Sequence, residues 1–273
     1  MSRRTVFFVS DQTGVTAETL GHSLLTQFSG VEFRPVTLPF VSSIDKAEEA
    51  VRKINRAAAE DGVRPIVFST LVQDEVRDVV LGSDGLFLDF FAAFVGPLER
   101  ELNVRSAHLA GRAHGMFDIP AYTTRINATN FALANDDGNG QDYAHADVIL
   151  IGVSRSGKTP TCLYMALQYG VFAANYPLTE DDLESGKLPT RLEAHRRKLY
   201  ALTIKPERLQ QIRNERRPES RYSSRPQVTY ELRAAEALFA RYSIPVIDTT
   251  ECSIEEIASR ILNNTGIERR LRP

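Results

Sequence analysis

The clearest chemical signature in the sequence is one eight-residue segment, GVSRSGKT, which matches the pattern G-x-x-x-x-G-K-[ST]. Glycines in this pattern allow backbone conformations that a Cβ would hinder, so consecutive N–H groups point into one concavity. The lysine reaches the terminal phosphates of a nucleotide, and the last hydroxyl ligates Mg²⁺. The predicted nucleotide site therefore comprises Gly152, Val153, Ser154, Arg155, Ser156, Gly157, Lys158 and Thr159. Within it, Lys158 is a candidate catalytic residue and Thr159 a candidate metal ligand.

The context of the segment agrees with this chemistry. It follows an apolar strand, 148–151, and opens a helical pattern. The phosphates would then lie at a helix N-terminus, where unpaired N–H groups and the helix dipole favour an anion. Pro160 fits because a proline in the first turn removes an N–H that has no partner in the helix.

A basic region follows the predicted nucleotide site. Residues 191–225 contain eleven Lys or Arg and four acidic residues, in a chain that is otherwise slightly acidic. Arg213 and Arg216 lie three residues apart on a predicted helix, and Arg216 is in line with the apolar positions Leu209 and Ile212. We expect Arg213 and Arg216 to contribute to phosphate binding, although a solvated helix face is an equally good interpretation of either arginine alone.

Other candidates lie outside this region. Asp11 follows the first strand, where doubly wound sheets place ligand-binding residues, and His114 lies between glycines, so both are candidate catalytic residues. The alternatives are a loop aspartate beside a helix start and a structural histidine. Asp248 ends an apolar run and is a candidate magnesium ligand, with a structural turn as the alternative. The pair Asp136 and Asp137 is a candidate for Mg²⁺ binding or for proton abstraction, but on a polar linker we interpret it as a solvated turn.

Missing motifs narrow the class of protein. The sequence has no Asn/Thr-Lys-x-Asp motif of GTPases, and neither the His-Arg-Asp nor the Asp-Phe-Gly motif of ordinary protein kinases. Its last hundred residues instead follow the plan of small P-loop kinases. We therefore predict a phosphotransferase that lacks the motifs of ordinary protein kinases.

Bulk composition excludes several classes of protein. The 273 residues carry 33 basic and 35 acidic side chains, so no general attraction to nucleic acid or membrane is expected. No apolar run approaches the roughly 20 residues that span a bilayer. Two cysteines form neither a disulfide framework nor a metal-ligand spacing. We expect a cytoplasmic protein.

Strand and helix patterns alternate along the chain, which favours an α/β fold with mostly parallel sheets. The most polar stretch, 135–146, predicts a boundary between an N-terminal α/β domain, 1–140, and a P-loop kinase-like α/β domain, 141–273. In the first domain we predict three strands, with a long helical region after the third that extends to about Leu102.

Four stretches of the sequence resemble one family, the bacterial phosphoenolpyruvate synthase regulatory proteins, which are related to the regulatory protein of pyruvate, phosphate dikinase. These stretches are SDQTGVTAE, GRAHGMFDIPAYTTRINATNFALANDDG, GVSRSGKTPTCLYMALQYGVFAANYPL and LTIKPERLQQIRNERRPESRYSS. The resemblance covers essentially the whole chain.

The resemblance implies a bifunctional enzyme. Such proteins phosphorylate a threonine beside the catalytic histidine of the dikinase with ADP as donor, and remove that phosphate with inorganic phosphate, releasing pyrophosphate. It implies ADP at Gly152 to Thr159, with Mg²⁺ expected there as well, and phosphoenolpyruvate synthase as the partner. Three alternatives stay open: the same chemistry on pyruvate, phosphate dikinase, a small-molecule kinase, and a non-catalytic nucleotide sensor. The oligomeric state is also open, with a homodimer as one alternative.

Overall fold

The computed structural model describes residues 3–107, 119–138 and 142–271. Contacts divide the chain into two compact units, Met1–Gly115 and Met116–Pro273. Within the described residues each unit contains a four-stranded, all-parallel sheet with helices, so the predicted α/β class is confirmed. None of the described helices has the length and apolar character needed to cross a bilayer.

In the first unit the described elements are β1 (Arg3–Val9), α1 (Val15–Leu25), β2 (Glu32–Leu38), α2 (Ile44–Asp61), β3 (Ile66–Ser69), α3 (Asp74–Leu81), β4 (Leu86–Asp89) and α4 (Phe90–Leu102). In the second they are α5 (Ile119–Ala134), β5 (Val148–Gly152), α6 (Lys158–Tyr169), β6 (Ala173–Pro177), α7 (Glu180–Ser185), α8 (Thr190–Glu193), β7 (Leu199–Thr203), α9 (Pro206–Arg216), α10 (Arg225–Arg241), β8 (Val246–Asp248) and α11 (Ile254–Thr265).

The strand order of the first unit is β2-β1-β3-β4. Successive side chains of β1 point to opposite faces of this sheet, as in any strand. Phe7 and Val9 therefore enter the core formed with α2 and α3, whereas Val6 and Phe8 enter the core below α1. The four consecutive apolar residues Val6 to Val9 are explained by burial on both faces of a parallel sheet.

The sequence predicted one long helical region after β3, up to about Leu102. This prediction is wrong, because strand β4 lies within that region. The chain instead leaves α3 at Leu81, turns through residues 82–85, and pairs Leu86–Asp89 with β3 before α4 begins. Four residues are too few to show a period of two, and the apolar run continues into α4 without a break. The glycines at 82 and 85 were the available signal.

Helix ends in both units follow their capping residues. The hydroxyl of Ser43 accepts a hydrogen bond from the N–H of Lys46 at the start of α2, and Ser253 does the same for α11. Gly62, Gly170 and Gly266 end α2, α6 and α11 with positive φ, a position where glycine is common because it has no Cβ.

The second unit has the strand order β6-β5-β7-β8. Strand β5 is fully buried, with Ile149 and Ile151 packed in the core that contains α10. Val148 and Leu150 pack on the other face with α6, α11 and α5. Because α5 contributes to this core, the contacts place the boundary between the units near residue 115, whereas the polar stretch suggested 140.

Candidate functional site

The segment between β5 and α6 has the conformation that the motif requires. Strand β5 ends at Gly152 and α6 begins at Lys158, with Gly157 in the left-handed region at φ 95°. Arg155 is also left-handed, at φ 76°, which is uncommon for a residue with a Cβ. Alternation of right- and left-handed residues directs successive N–H groups to one side, which makes a concavity for an anion.

Gly152 is required by a close approach of two strands. A Cβ at this position would lie 2.4 Å from the carbonyl oxygen of Leu202 on the neighbouring strand β7. This contact is backbone, so it cannot be relieved by a side-chain rotation. The first glycine of the motif therefore lets the loop leave the sheet beside β7.

Lys158 is buried at the first position of α6, and its Nζ donates a hydrogen bond to the carbonyl oxygen of Val153, at 2.8 Å. Burial lowers the pKa of Lys158 to about 8, and the negative charge of Asp137 is the largest effect that opposes this shift. The ammonium group is thus enclosed by the loop and is poorly solvated, which strengthens its attraction to a phosphate.

An acidic loop lies against the motif, where the sequence analysis preferred a solvated turn. The Thr159 hydroxyl donates to Oδ1 of Asp136 at 2.8 Å, and the side-chain amide of Asn175 donates to the same oxygen. Asp136 is therefore held at the start of α6 and is not a solvated turn. A polar Asn175 inside the otherwise apolar strand β6 was the signal that could have indicated this arrangement.

A cavity of about 260 Å³ opens at the motif. Its positive groups are Lys158, Arg155 and Arg216, and its one described carboxylate is that of Asp137. The full lining is Asp137, Ser154, Arg155, Gly157, Lys158, Thr159, Pro160, Ile212 and Arg216. The predicted alignment of Arg216 with Ile212 thus brings both residues to the cavity at the motif.

Arg213 has a different position from Arg216. Its guanidinium is fully buried and donates to the carbonyl oxygens of Tyr222 and Ser154 and to the carboxylate of Glu231, at 3.0, 3.1 and 2.6 Å. The same group stacks on the Tyr222 ring at 4.2 Å, and the Tyr222 hydroxyl is 2.9 Å from Oγ of Ser154. Arg213 therefore braces the outer wall of the loop and does not line the cavity.

The end of β8 supports the loop from the opposite side. The Thr249 hydroxyl lies within hydrogen-bond distance of the carbonyl oxygens of Ser156 and Thr203, at 3.2 and 3.0 Å. The carboxylate of Asp248 accepts hydrogen bonds from the N–H and the hydroxyl of Thr250. Asp248 thus closes a threonine-rich turn, which was the structural alternative, and β7 lies between its strand and β5.

The two remaining candidates lie elsewhere in the chain. Asp11 is buried after β1 in the first unit, and its Oδ2 accepts a hydrogen bond from the Val72 N–H at 3.1 Å. Burial is the main cause that raises the pKa of Asp11. His114 lies outside the described residues.

Among the described residues, no group of three or more His, Cys, Asp or Glu could hold a metal by protein ligands alone. Magnesium rarely needs such a group, since it keeps several waters and binds through one or two protein oxygens plus substrate phosphates. Thr159 lines the cavity and its hydroxyl is bonded to the Asp136 carboxylate, so these two oxygen donors fit Mg²⁺.

The chain matches one known protein family over most of its length. Residues 6–262 match the family described as kinase/pyrophosphorylase. The chain belongs to this family. The protein is therefore a phosphotransferase, and the family resemblance found in the sequence is confirmed.

Individual relatives match along their whole length. One from Alcanivorax borkumensis is 56% identical over 270 residues, which cover 98% of this chain and 99% of the relative. One from Alkalilimnicola ehrlichii is 55% identical over 271 residues, with 99% and 98% covered. A third, from Pseudomonas fluorescens, is 52% identical over 271 residues, with 99% and 100% covered. All three have the provisional name phosphoenolpyruvate synthase regulatory protein.

Proposed function

We propose that the protein transfers the β-phosphoryl group of ADP to a threonine of phosphoenolpyruvate synthase, beside that enzyme's catalytic histidine, and removes it again with inorganic phosphate. The names of the relatives support the partner, and the description of the family as kinase/pyrophosphorylase supports the two directions. The threonine and the ADP donor come from the family resemblance of the sequence.

The single observation that carries the proposal is the cavity at the motif. Lys158, Arg155 and Arg216 surround a concavity of backbone N–H groups at the start of α6. Phosphoryl transfer depends mainly on such positioning and charge stabilisation, with little covalent chemistry by the protein. Because the transferred group moves between oxygens in both directions, one cavity serves ADP in the forward reaction and inorganic phosphate in the reverse.

Thr159 and Asp136 are the residues that would hold Mg²⁺. When bound, the ion would neutralise charge on the phosphate oxygens. The Asn175 amide, which donates to Asp136, orients that carboxylate toward Thr159. Asp248 stays a candidate ligand through water.

The test is to incubate the protein and phosphoenolpyruvate synthase with ADP labelled in its β-phosphate and to look for labelled phosphothreonine. Addition of unlabelled inorganic phosphate should then release labelled pyrophosphate. Lys158→Ala should lower both rates by about 10³-fold, because a buried charge that contacts the transferred group is lost. Arg208→Ala, a surface change on α9, is the matched control and should leave both rates unaltered.

Three outcomes would contradict the proposal. Labelling of pyruvate, phosphate dikinase in place of the synthase would move the same chemistry to the other partner. Turnover of a free metabolite with ATP, without labelling of either dikinase, would indicate a small-molecule kinase. A sensor would bind the partner and ADP but would label nothing.

A further inference from the structure

The basic region of residues 191–225 is divided by the fold between two edges of the second sheet. Its later part includes α9, which brings Arg216 to the cavity at the motif. Its earlier part includes Arg196, Arg197 and Lys198, which form a single 3₁₀ turn directly before β7 and are called the basic turn below. Because the strands are parallel, the basic turn lies at their amino ends, whereas the motif lies at their carboxyl ends. The proposed function therefore does not use these three cations.

A cavity of about 500 Å³ opens beside the basic turn. Its walls include apolar residues from the starts of two strands and from the segment after α11, namely Val148, Leu199, Pro245 and Ile267. Val148 begins strand β5, which ends at Gly152, so about 13 Å separate this cavity from the motif. A cavity of this size is large enough to enclose a small molecule.

The cavity carries an excess of positive charge. All three residues of the basic turn line it, and its one described carboxylate is that of Asp147. That carboxylate accepts two hydrogen bonds from the guanidinium of Arg270, at 2.5 and 2.9 Å, and one from the N–H of Phe172 at 2.8 Å. Since Asp147 is already neutralised by Arg270, the charge of the basic turn is not balanced within the cavity.

Two of the three cations are held in place and the third is free. The guanidinium of Arg196 lies over the ring of Tyr242, which also lines the cavity, at 4.9 Å from its centre. The ammonium group of Lys198 donates a hydrogen bond to the carbonyl oxygen of Ala144 at 2.6 Å, which leaves two of its three donors. Within the described ranges, Arg197 is exposed and has neither a hydrogen-bond acceptor nor an ion-pair partner.

Cations on an ordinary solvated surface of this protein are arranged differently. On α2, Arg52 and Lys53 each face a carboxylate four residues earlier, Glu48 at 3.8 Å and Glu49 at 2.7 Å. The basic turn instead places three like charges in succession, which repel one another unless an anion lies between them. Guanidinium groups bind phosphate through paired hydrogen bonds, so two arginines and a lysine suit a phosphate with two negative charges.

We propose that the cavity beside the basic turn is a second anion site, which binds a small phosphate monoester. The phosphate group contacts the basic turn, and the carbon skeleton lies along Leu199 and Ile267. This site is separate from the motif, so the inference does not depend on the proposed function.

The test is calorimetric titration of the full chain with glycerol 3-phosphate, with glycerol and malonate as the uncharged and the dicarboxylate comparisons. Arg197→Gln removes one charge from the basic turn and keeps a long polar side chain. Arg155→Gln makes the same change at the motif, where phosphate is also expected to bind. Arg208→Gln is the matched surface control, because that side chain contacts Gln211 and lines neither cavity.

We expect a class of sites for glycerol 3-phosphate whose affinity falls about tenfold in Arg197→Gln, because one charge-assisted contact is lost. Arg155→Gln and Arg208→Gln should leave this class unchanged. Malonate should bind to it more weakly than glycerol 3-phosphate, and glycerol should not bind. Since Arg197 has no partner among the described residues, the urea unfolding midpoint of Arg197→Gln should equal that of the wild type.

Three results would overturn the proposal. If Arg155→Gln abolishes all binding of glycerol 3-phosphate while Arg197→Gln has no effect, the anion binds only at the motif. Equal weakening by Arg197→Gln and Arg208→Gln would show a response to overall charge without a site. Tighter binding of malonate than of glycerol 3-phosphate would refute a phosphate ligand.

Discussion

The two units contain the same strand order and the same loop at corresponding places, yet only one loop has the residues for phosphate. Residues 10–14 join β1 to α1, and residues 153–157 join β5 to α6. Both follow a strand with a parallel neighbour on each side, and both end on a left-handed glycine, Gly14 at φ 86° and Gly157 at φ 95°.

The residues that follow and precede these glycines differ. After Gly157 comes the buried Lys158, whereas after Gly14 comes Val15, which is exposed. The first loop also holds the buried Asp11, whose negative charge opposes an anion at that helix N-terminus. The comparison teaches that topology supplies the helix N-terminus at the sheet edge, and that a few side chains decide whether it attracts phosphate.

The largest expected effect concerns Arg213, which supports the second loop, residues 153–157. Arg213→Met should lower the free energy of unfolding of the second unit by about 4 kcal/mol, because Glu231 would stay buried without its cation. Urea unfolding measures this loss. The double change Arg213→Met with Glu231→Met should restore most of it, and the surface change Arg208→Met should cost less than about 0.5 kcal/mol. Equal effects of Arg213→Met and Arg208→Met would refute the brace.

The next prediction compares the stability cost of adding a Cβ at one glycine of each loop. Gly152→Ala should cost about 3 kcal/mol, because the new Cβ would lie 2.4 Å from a carbonyl oxygen that cannot move independently. Gly14→Ala should cost about 1 kcal/mol, since its positive φ is strained but the nearest contact is the Thr37 methyl group at 3.0 Å. Thermal or urea unfolding compares them. Equal costs would show that the approach to β7 does not constrain the second loop.

A smaller effect tests the protonation of Lys158, which follows the second loop. The pKa of Lys158 is lowered to about 8 by burial, so near pH 8 the unliganded side chain is partly neutral. Bound phosphates favour the ammonium form and raise this pKa, so ADP binding should take up about half a proton at pH 8. Calorimetry in two buffers of different ionisation enthalpy measures the uptake. It should rise between pH 7.5 and 8.5, and a constant value would contradict the lowered pKa.

The smallest effect concerns the first loop. Burial raises the pKa of Asp11 above 3.8, so between 3.8 and its raised value the folded state binds more protons than the unfolded state. Its contribution to stability therefore falls as the pH rises through that window. Relative to wild type, Asp11→Asn should gain stability from pH 3.5 to neutral pH, and it keeps an oxygen that can accept from Val72. Unfolding at the two pH values checks the direction, and a loss on raising the pH would contradict it.

The sequence was sufficient for the place of the second loop, residues 153–157, because GVSRSGKT specifies a turn between a strand and a helix. Its nucleotide chemistry stays a prediction. The sequence was also sufficient for the helix ends at Gly62, Gly170 and Gly266, since a C-terminal glycine acts locally. It did not show β4, whose four residues merge into an apolar run.

Long-range contacts explain the other omissions. Asp136 is distant in the sequence from Thr159 and Asn175, so its partners become apparent only when β6 lies beside β5. Arg213 and Arg216 are equivalent in a helical pattern, but the first enters the packed interior while the second lines the cavity. A pattern of residue types does not distinguish a buried arginine with a carboxylate partner from one that faces a ligand.

The hydrogen bonds from Arg213 to Ser154 and Glu231 have a consequence for synthesis on the ribosome. Arg213 follows Ser154 by 59 positions, and Glu231 follows Arg213 by a further 18. At elongation rates of about 5–20 residues per second, the loop precedes its last support by roughly 4 to 15 seconds. A nascent chain thus carries the complete GVSRSGKT segment well before that segment acquires its fixed shape. The last residue that supports the loop, Glu231, is added only with α10.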